Sequence, residues 1–213
     1  MNQKDPRRQN PVNPDKIKRG DILLVHTKRS FTSWLIRRFT KSYWNHVGLF
    51  VSKDNQWPKW VIEALGEGIV ARPFELKYIK VIRDDKGNIV EMKDSGKFHI
   101  AVVRVKDLTY EQRKQISNKV YKWAYEGRKY DFLLLLFGMV LHLLSFRKFR
   151  PRWLNKKSCF ICSELVATAF AEVAGITFGK YTASGYVTPA DIAQEAQTNE
   201  KMEIVMSNVQ EKS

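Results

Sequence analysis

A strand that opens on Asn45-His46-Val47-Gly48 and a helix that opens on Cys162, within Ser158-Cys159-Phe160-Ile161-Cys162-Ser163-Glu164-Leu165-Val166, are the features that most restrict how this chain can fold. Each puts a reactive side chain at or near the start of an apolar element, and the two elements lie far apart in sequence. A fold that uses both must bring the helix start to the strand start. The cysteine has a chemical reason to need that neighbour. The thiolate is the nucleophile, and an unperturbed thiol of pKa about 8.5 is only about 3% ionised at pH 7. A helix N-terminus and an imidazole within hydrogen-bond reach are the two usual means of activation, and a lowering of about two pKa units corresponds to about 2.7 kcal/mol of preference for the thiolate.

With 213 residues and 44% hydrophobic content, the chain can bury one substantial core. The expected organisation is an irregular basic arm over residues 1–19, one domain over 20–196 carrying an apolar and basic insertion at 132–157, and a tail over 197–213. Lys and Arg outnumber Asp and Glu by 37 to 22, a net charge of +15, which favours an anionic partner. Two cysteines are too few for a disulfide framework, and Met1-Asn2-Gln3-Lys4-Asp5-Pro6 lacks the apolar run of a secretory signal, so a cytoplasmic location is expected.

Ordered elements begin near Gly20. Residues 21–26 read as a buried strand, and 33–39 as a short amphipathic helix with outward-facing arginines. Residues 46–51 and 60–65 read as a hairpin, and 69–74 as a third strand that Pro73 confines to an edge or strand end. Asp84-Asp85-Lys86-Gly87-Asn88 marks a turn, while the wider segment 74–98 reads as loop-like and as a source of specificity. Residues 99–105 form a β-branched strand, followed by a helix capped by Thr109 that runs to Glu126 and stops at Gly127. The cysteine helix buries Leu165, Val166, Ala169 and Val173 before Gly175. Beyond Thr198, residues 202–206 read as disordered in preference to a short edge segment.

Taken in order, Gly20-Asp21-Ile22-Leu23-Leu24, Asn45-His46-Val47-Gly48-Leu49, Val61-Ile62-Glu63-Ala64, Tyr130-Asp131, Cys162-Ser163-Glu164-Leu165-Val166 and Thr188-Pro189-Ala190-Asp191 form a recognisable series. It resembles the YiiX-like permuted papain-fold amidases, relatives of the NlpC-type cell-wall peptidases and of lecithin:retinol acyltransferase, over about residues 20 to 193. The histidine strand precedes the cysteine helix, as in the permuted branch. The resemblance implies an α+β, circularly permuted papain-like fold in which an antiparallel sheet packs against the cysteine-bearing helix. It also implies Cys162 as nucleophile, His46 as general base and acid, and Glu63 as the group that orients the imidazole.

The residue types suit that chemistry on their own terms. Attack on an amide or ester carbonyl needs a thiolate and then a proton donor to the leaving group, and histidine serves both near neutral pH. The backbone N–H of Cys162 is a candidate oxyanion donor, with Tyr43 as an assistant. Competing readings stand beside each assignment. A cysteine on an apolar helix is often a small buried hydrophobe. Glu63 between Ile62 and Ala64 has a competing reading as the solvent face of a half-buried strand, with Glu67 as its nearest substitute. His99 is the reserve base, while His26 and His142 read as packing or surface residues. Cys159 and Cys162 share the spacing of redox and zinc sites, but no second cysteine pair and no thioredoxin-like setting accompanies them. Asp131 reads as a helix cap, and Ser163 and Glu164 as first-turn residues. The proposed chemistry requires no cofactor and no metal.

The apolar run Leu133 to Leu141 precedes Arg147-Lys148-Phe149-Arg150-Pro151-Arg152-Trp153 and Lys156-Lys157. That composition suits an anionic membrane surface as well as a buried core helix beside a solvated loop; residues 132–146 are too short to span a bilayer. A membrane reading makes a lipid or lipidated amide or ester a natural substrate. Aromatic residues among Lys and Arg from Trp34 to Trp44 also suit nucleic acid, but no nucleic-acid motif accompanies them, so that partner ranks behind the membrane. The alternative to a hydrolase is a noncatalytic membrane-binding module with the same fold.

Overall fold

The computed structural model describes residues 13–54, 56–65, 68–86, 89–126, 162–179 and 187–209. Tyr130, Asp131, Glu67, His142, Cys159 and the 132–157 insertion lie outside the described residues, as do the first twelve residues of the arm.

The chain forms an α+β structure around a six-stranded antiparallel sheet. Its strands are β1 (Ile22–Thr27), β2 (His46–Phe50), β3 (Trp60–Leu65), β4 (Gly68–Pro73), β7 (Phe98–Val105) and β8 (Met202–Ser207), in the order β4-β3-β2-β1-β7-β8. A separate hairpin pairs β5 (Ile79–Arg83) with β6 (Ile89–Asp94). The helices are α1 (Phe31–Thr40), α2 (Phe74–Lys77), α3 (Tyr110–Tyr125), α4 (Cys162–Ala174) and α5 (Pro189–Thr198).

Period-2 alternation divides the sheet's side chains between two apolar layers. Ile22, Leu24, Val47, Leu49, Ile62 and Ala64 face one layer, where Leu165, Val166, Ala169 and Phe170 of α4 join Ile116 and Val120 of α3. Leu23, Val25, Phe50, Val61 and Val102 face the other, where they meet Phe74, Tyr78 and Ile79. The sheet is therefore covered on both faces, which explains why β1 and β2 read as continuous apolar runs. Helix starts follow the expected capping chemistry. Thr109 and Gln112 form a reciprocal capping box on α3, and Thr188 and Asp191 form one on α5.

Several elements depart from the sequence reading. Residues 13–19, assigned to the arm, are packed: Pro14–Lys16 form a 3₁₀ turn, and Ile17 is 1% exposed in the second apolar layer. One buried isoleucine anchors a segment whose composition is otherwise that of a tail. Residues 202–207 form the edge strand β8, because Met202 and Met206 each bury against the sheet while β7 supplies the backbone partners. The loop-like segment 74–98 contains α2, β5 and β6 and contributes Phe74, Tyr78 and Ile79 to the core. Arg37 does not face outward as Arg38 does; its guanidinium donates to the Thr27 carbonyl at 3.1 Å and to Asn45 Oδ1 at 3.5 Å.

Candidate functional site

His46 is the first residue of β2 and Cys162 the first described residue of α4. In the sheet register His46 stands opposite Val25, which places the imidazole on the layer of Phe74 and Tyr78, whereas α4 packs against the opposite layer. The two side chains meet because both lie at the beginnings of their elements, where the thiol reaches the start of β2. There the Cys162 sulfur hydrogen-bonds with His46 and accepts from the backbone N–H groups of Val47 and Ser163.

Glu63 lies on β3, opposite Gly48 and diagonal to His46 on the same face, a spacing that a long side chain can bridge. The carboxylate does so: His46 Nε2 stands 2.7 Å from Glu63 Oε1. Nδ1 is then left for the thiol, so the imidazole links sulfur to carboxylate. Gly48 makes the crossing possible. A β-carbon there would stand 2.6 Å from Val61 Cγ1 and 3.1 Å from Glu63 Cγ, inside the path by which the glutamate reaches the histidine.

The structure thus brings together Cys162, His46 and Glu63. Glu63 is 0% exposed, so the solvent-face reading of this residue is corrected. Two further groups hold the carboxylate. Lys77 Nζ lies 3.3 Å from Oε1 and 3.1 Å from Oε2, and the buried Tyr78 hydroxyl donates to Oε1. Both come from the segment read as a loop. The β-branched and aromatic content of Tyr78-Ile79-Lys80-Val81-Ile82, ahead of a strong turn, was the signal that could have shown a hairpin there.

The electrostatics follow from this contact set. Burial pushes the Glu63 carboxyl upward, but the hydrogen bond and charge of His46, with Lys77 and Tyr78 behind them, bring it down to about 2. Burial disfavours a charged imidazole at His46, yet the Cys162 sulfur and the Glu63 carboxylate outweigh it and raise the pKa to about 9. Burial likewise opposes a Cys162 thiolate; the His46 charge and the hydrogen bonds from His46, Val47 and Ser163 lower the thiol from its ordinary value. The favoured arrangement is a thiolate beside an imidazolium that is backed by a carboxylate, which can attack an electrophilic carbon and return a proton to the group it displaces.

The other sequence candidates go elsewhere. The Tyr43 hydroxyl is bonded to His99 Nδ1, and the Tyr43 carbonyl stands 2.8 Å from His26 Nδ1, so Tyr43, His26 and His99 form an aromatic cluster on the ends of β1 and β7. Ser163 is fully buried and donates to the Val187 carbonyl at 2.7 Å, tying α4 to the approach to α5. Asp191 caps α5. Among the described residues no group of three or more His, Cys, Asp or Glu side chains could hold a metal ion. No helix among them is long and apolar enough to cross a membrane.

Neither a model of a known protein family nor a curated protein matches this chain.

Proposed function

We propose that this protein is a cysteine-dependent hydrolase or acyltransferase of the YiiX-like permuted papain type, acting on an amide or ester. The observation that carries this reading is the imidazole of His46 held between the Cys162 sulfur and the buried Glu63 carboxylate. The Cys162 thiolate attacks the carbonyl carbon, a C–S bond forms, and the negative charge moves to the carbonyl oxygen, for which the Cys162 backbone N–H is the candidate donor. His46 gives its proton to the departing amine or alkoxide as the C–N or C–O bond breaks. It then takes a proton from water, or from a second nucleophile, whose attack on the thioester releases the acyl group and restores the thiolate. Glu63 keeps the imidazole oriented and supports its positive charge. With a net charge of +15, an anionic membrane surface is the natural place of action and a lipid or lipidated acyl donor the natural substrate class.

The test is the pH dependence of the Cys162 thiolate, followed by its ultraviolet absorbance and by iodoacetamide alkylation located by mass spectrometry, in the wild type and His46→Ala. Ionisation well below the ordinary thiol range in the wild type is expected. At mildly acidic pH, His46→Ala should alkylate on the order of tenfold to a hundredfold more slowly. A wild-type thiol that titrates like a free cysteine by absorbance would falsify the hydrolase and leave a binding module.

A further inference from the structure

One face of α1 is at odds with a helix that only supports the sheet. Ser33 and Leu35 are buried, whereas Phe31 is 77% and Trp34 51% exposed. Their rings stack on each other 5.7 Å apart on the first turn, forming a protruding apolar wedge. Arg38, exposed, continues the same helical stripe, and the exposed Lys41 follows as the helix C-cap. Beside the wedge an open cavity of about 590 Å³ is lined by Lys28, Arg29, Ser30 and Lys97, and none of its lining residues is acidic. No Asp or Glu occurs between Asp21 and Asp54, while Lys28, Arg29, Arg37, Arg38, Lys41 and Lys53 fall in that interval.

We infer that the Phe31–Trp34 wedge and the Lys28–Arg29–Lys97 cavity together dock this protein on an anionic phospholipid bilayer, the rings entering the interface and the cavity receiving a lipid phosphate or carboxylate. This deepens the membrane part of the proposed function and is independent of catalysis by Cys162. The charge complementarity selects an anionic surface, and the exposed ring pair selects lipid over nucleic acid. An aromatic wedge flanked by cations suits a headgroup layer, whereas bases stack on rings spread along a groove and open to receive them. The docking face is also coupled to the candidate site. Arg37 fastens α1 to Thr27 and Asn45, and Asn45 immediately precedes His46, so a docked α1 holds the start of β2 close to the bilayer.

Flotation of the full chain with phosphatidylcholine vesicles, with and without phosphatidylserine, tests this. The wild type should float with the serine-containing vesicles and much less with the neutral ones. Phe31→Ser/Trp34→Ser should lower the partition coefficient roughly tenfold or more, and Lys28→Gln/Arg29→Gln/Lys97→Gln about a hundredfold. Both sets change surface positions, and unchanged circular dichroism and melting would show that they fold. Wild-type behaviour from either folded variant would overturn this docking face while leaving membrane contact elsewhere in the chain intact. No flotation of the wild type would overturn both. Tighter binding to polyuridylate than to vesicles at the same salt would overturn the lipid assignment. None of these outcomes bears on the thiol titration, which tests the hydrolase separately.

Discussion

Two fully buried carboxylates sit on this sheet, and they are held in different ways. Asp21, just before β1, is gripped by Arg104 through Nε at 2.9 Å and Nη2 at 2.7 Å, by Arg113 at 3.4 Å and by the Lys18 N–H at 2.8 Å. Those guanidiniums also take the carbonyls of Lys16, Arg19 and Val105, so the cluster clamps the N-terminal segment, β7 and α3 together. Glu63 is equally buried, but one of the partners that hold it is an imidazole whose other side meets a thiol. A guanidinium does not release its proton in a protein, whereas an imidazole does so near neutrality. The Asp21 cluster therefore suits fastening, and the Glu63 cluster suits proton transfer.

The pKa directions separate the two further. Burial pushes the Asp21 carboxyl up, and its arginines only partly offset this, while Glu63 is held down to about 2. A carboxyl depressed in the folded state contributes stability above its unfolded pKa and loses it as the pH falls through the folded one. For Glu63 that window runs from 4.5 down to about 2. A raised carboxyl has the opposite sign, so acidification relieves the burial cost at Asp21.

The largest effect expected from breaking this contrast is at the clamp. Asp21→Ala takes the shared carboxylate away from the buried Arg113 and the half-buried Arg104 and should cost about 4 kcal/mol in denaturant unfolding, with the pH profile of Cys162 alkylation unmoved. Glu63→Gln should cost about 2 kcal/mol, shift the alkylation profile toward that of an ordinary thiol, and flatten the acid loss of stability between pH 4.5 and 2; Asp21→Asn should leave that acid loss in place. An alkylation profile that responded to Asp21→Ala as it does to Glu63→Gln would remove the distinction. Gly48→Ala, which crowds the path of Glu63, should cost about 1.5 kcal/mol and move the alkylation profile the same way as Glu63→Gln. Tyr78→Phe removes one hydrogen bond from Glu63 and leaves His46 and Lys77 in place, so about 1 kcal/mol and a small shift are expected.

By itself the sequence determined the local features. Alternation and apolar runs marked β1 to β4 and β7, Thr109 marked the start of α3, and Cys162 and His46 stood at element beginnings because small motifs of polar residue plus apolar run are visible in one dimension. Where local composition was ambiguous, it misled. Ile17 and β8 owe their order to partners supplied by distant segments, and no window of a few residues contains that information. Only the tertiary structure decided that Glu63 is buried, that Gly48 clears its path, and that Lys77 and Tyr78 hold it, since those contacts arise from strand register and from a hairpin folding back over one sheet face. Tertiary structure also decided how a cysteine packed on one layer meets a histidine on the other: both lie at the first residues of their elements, and β2 begins where they touch.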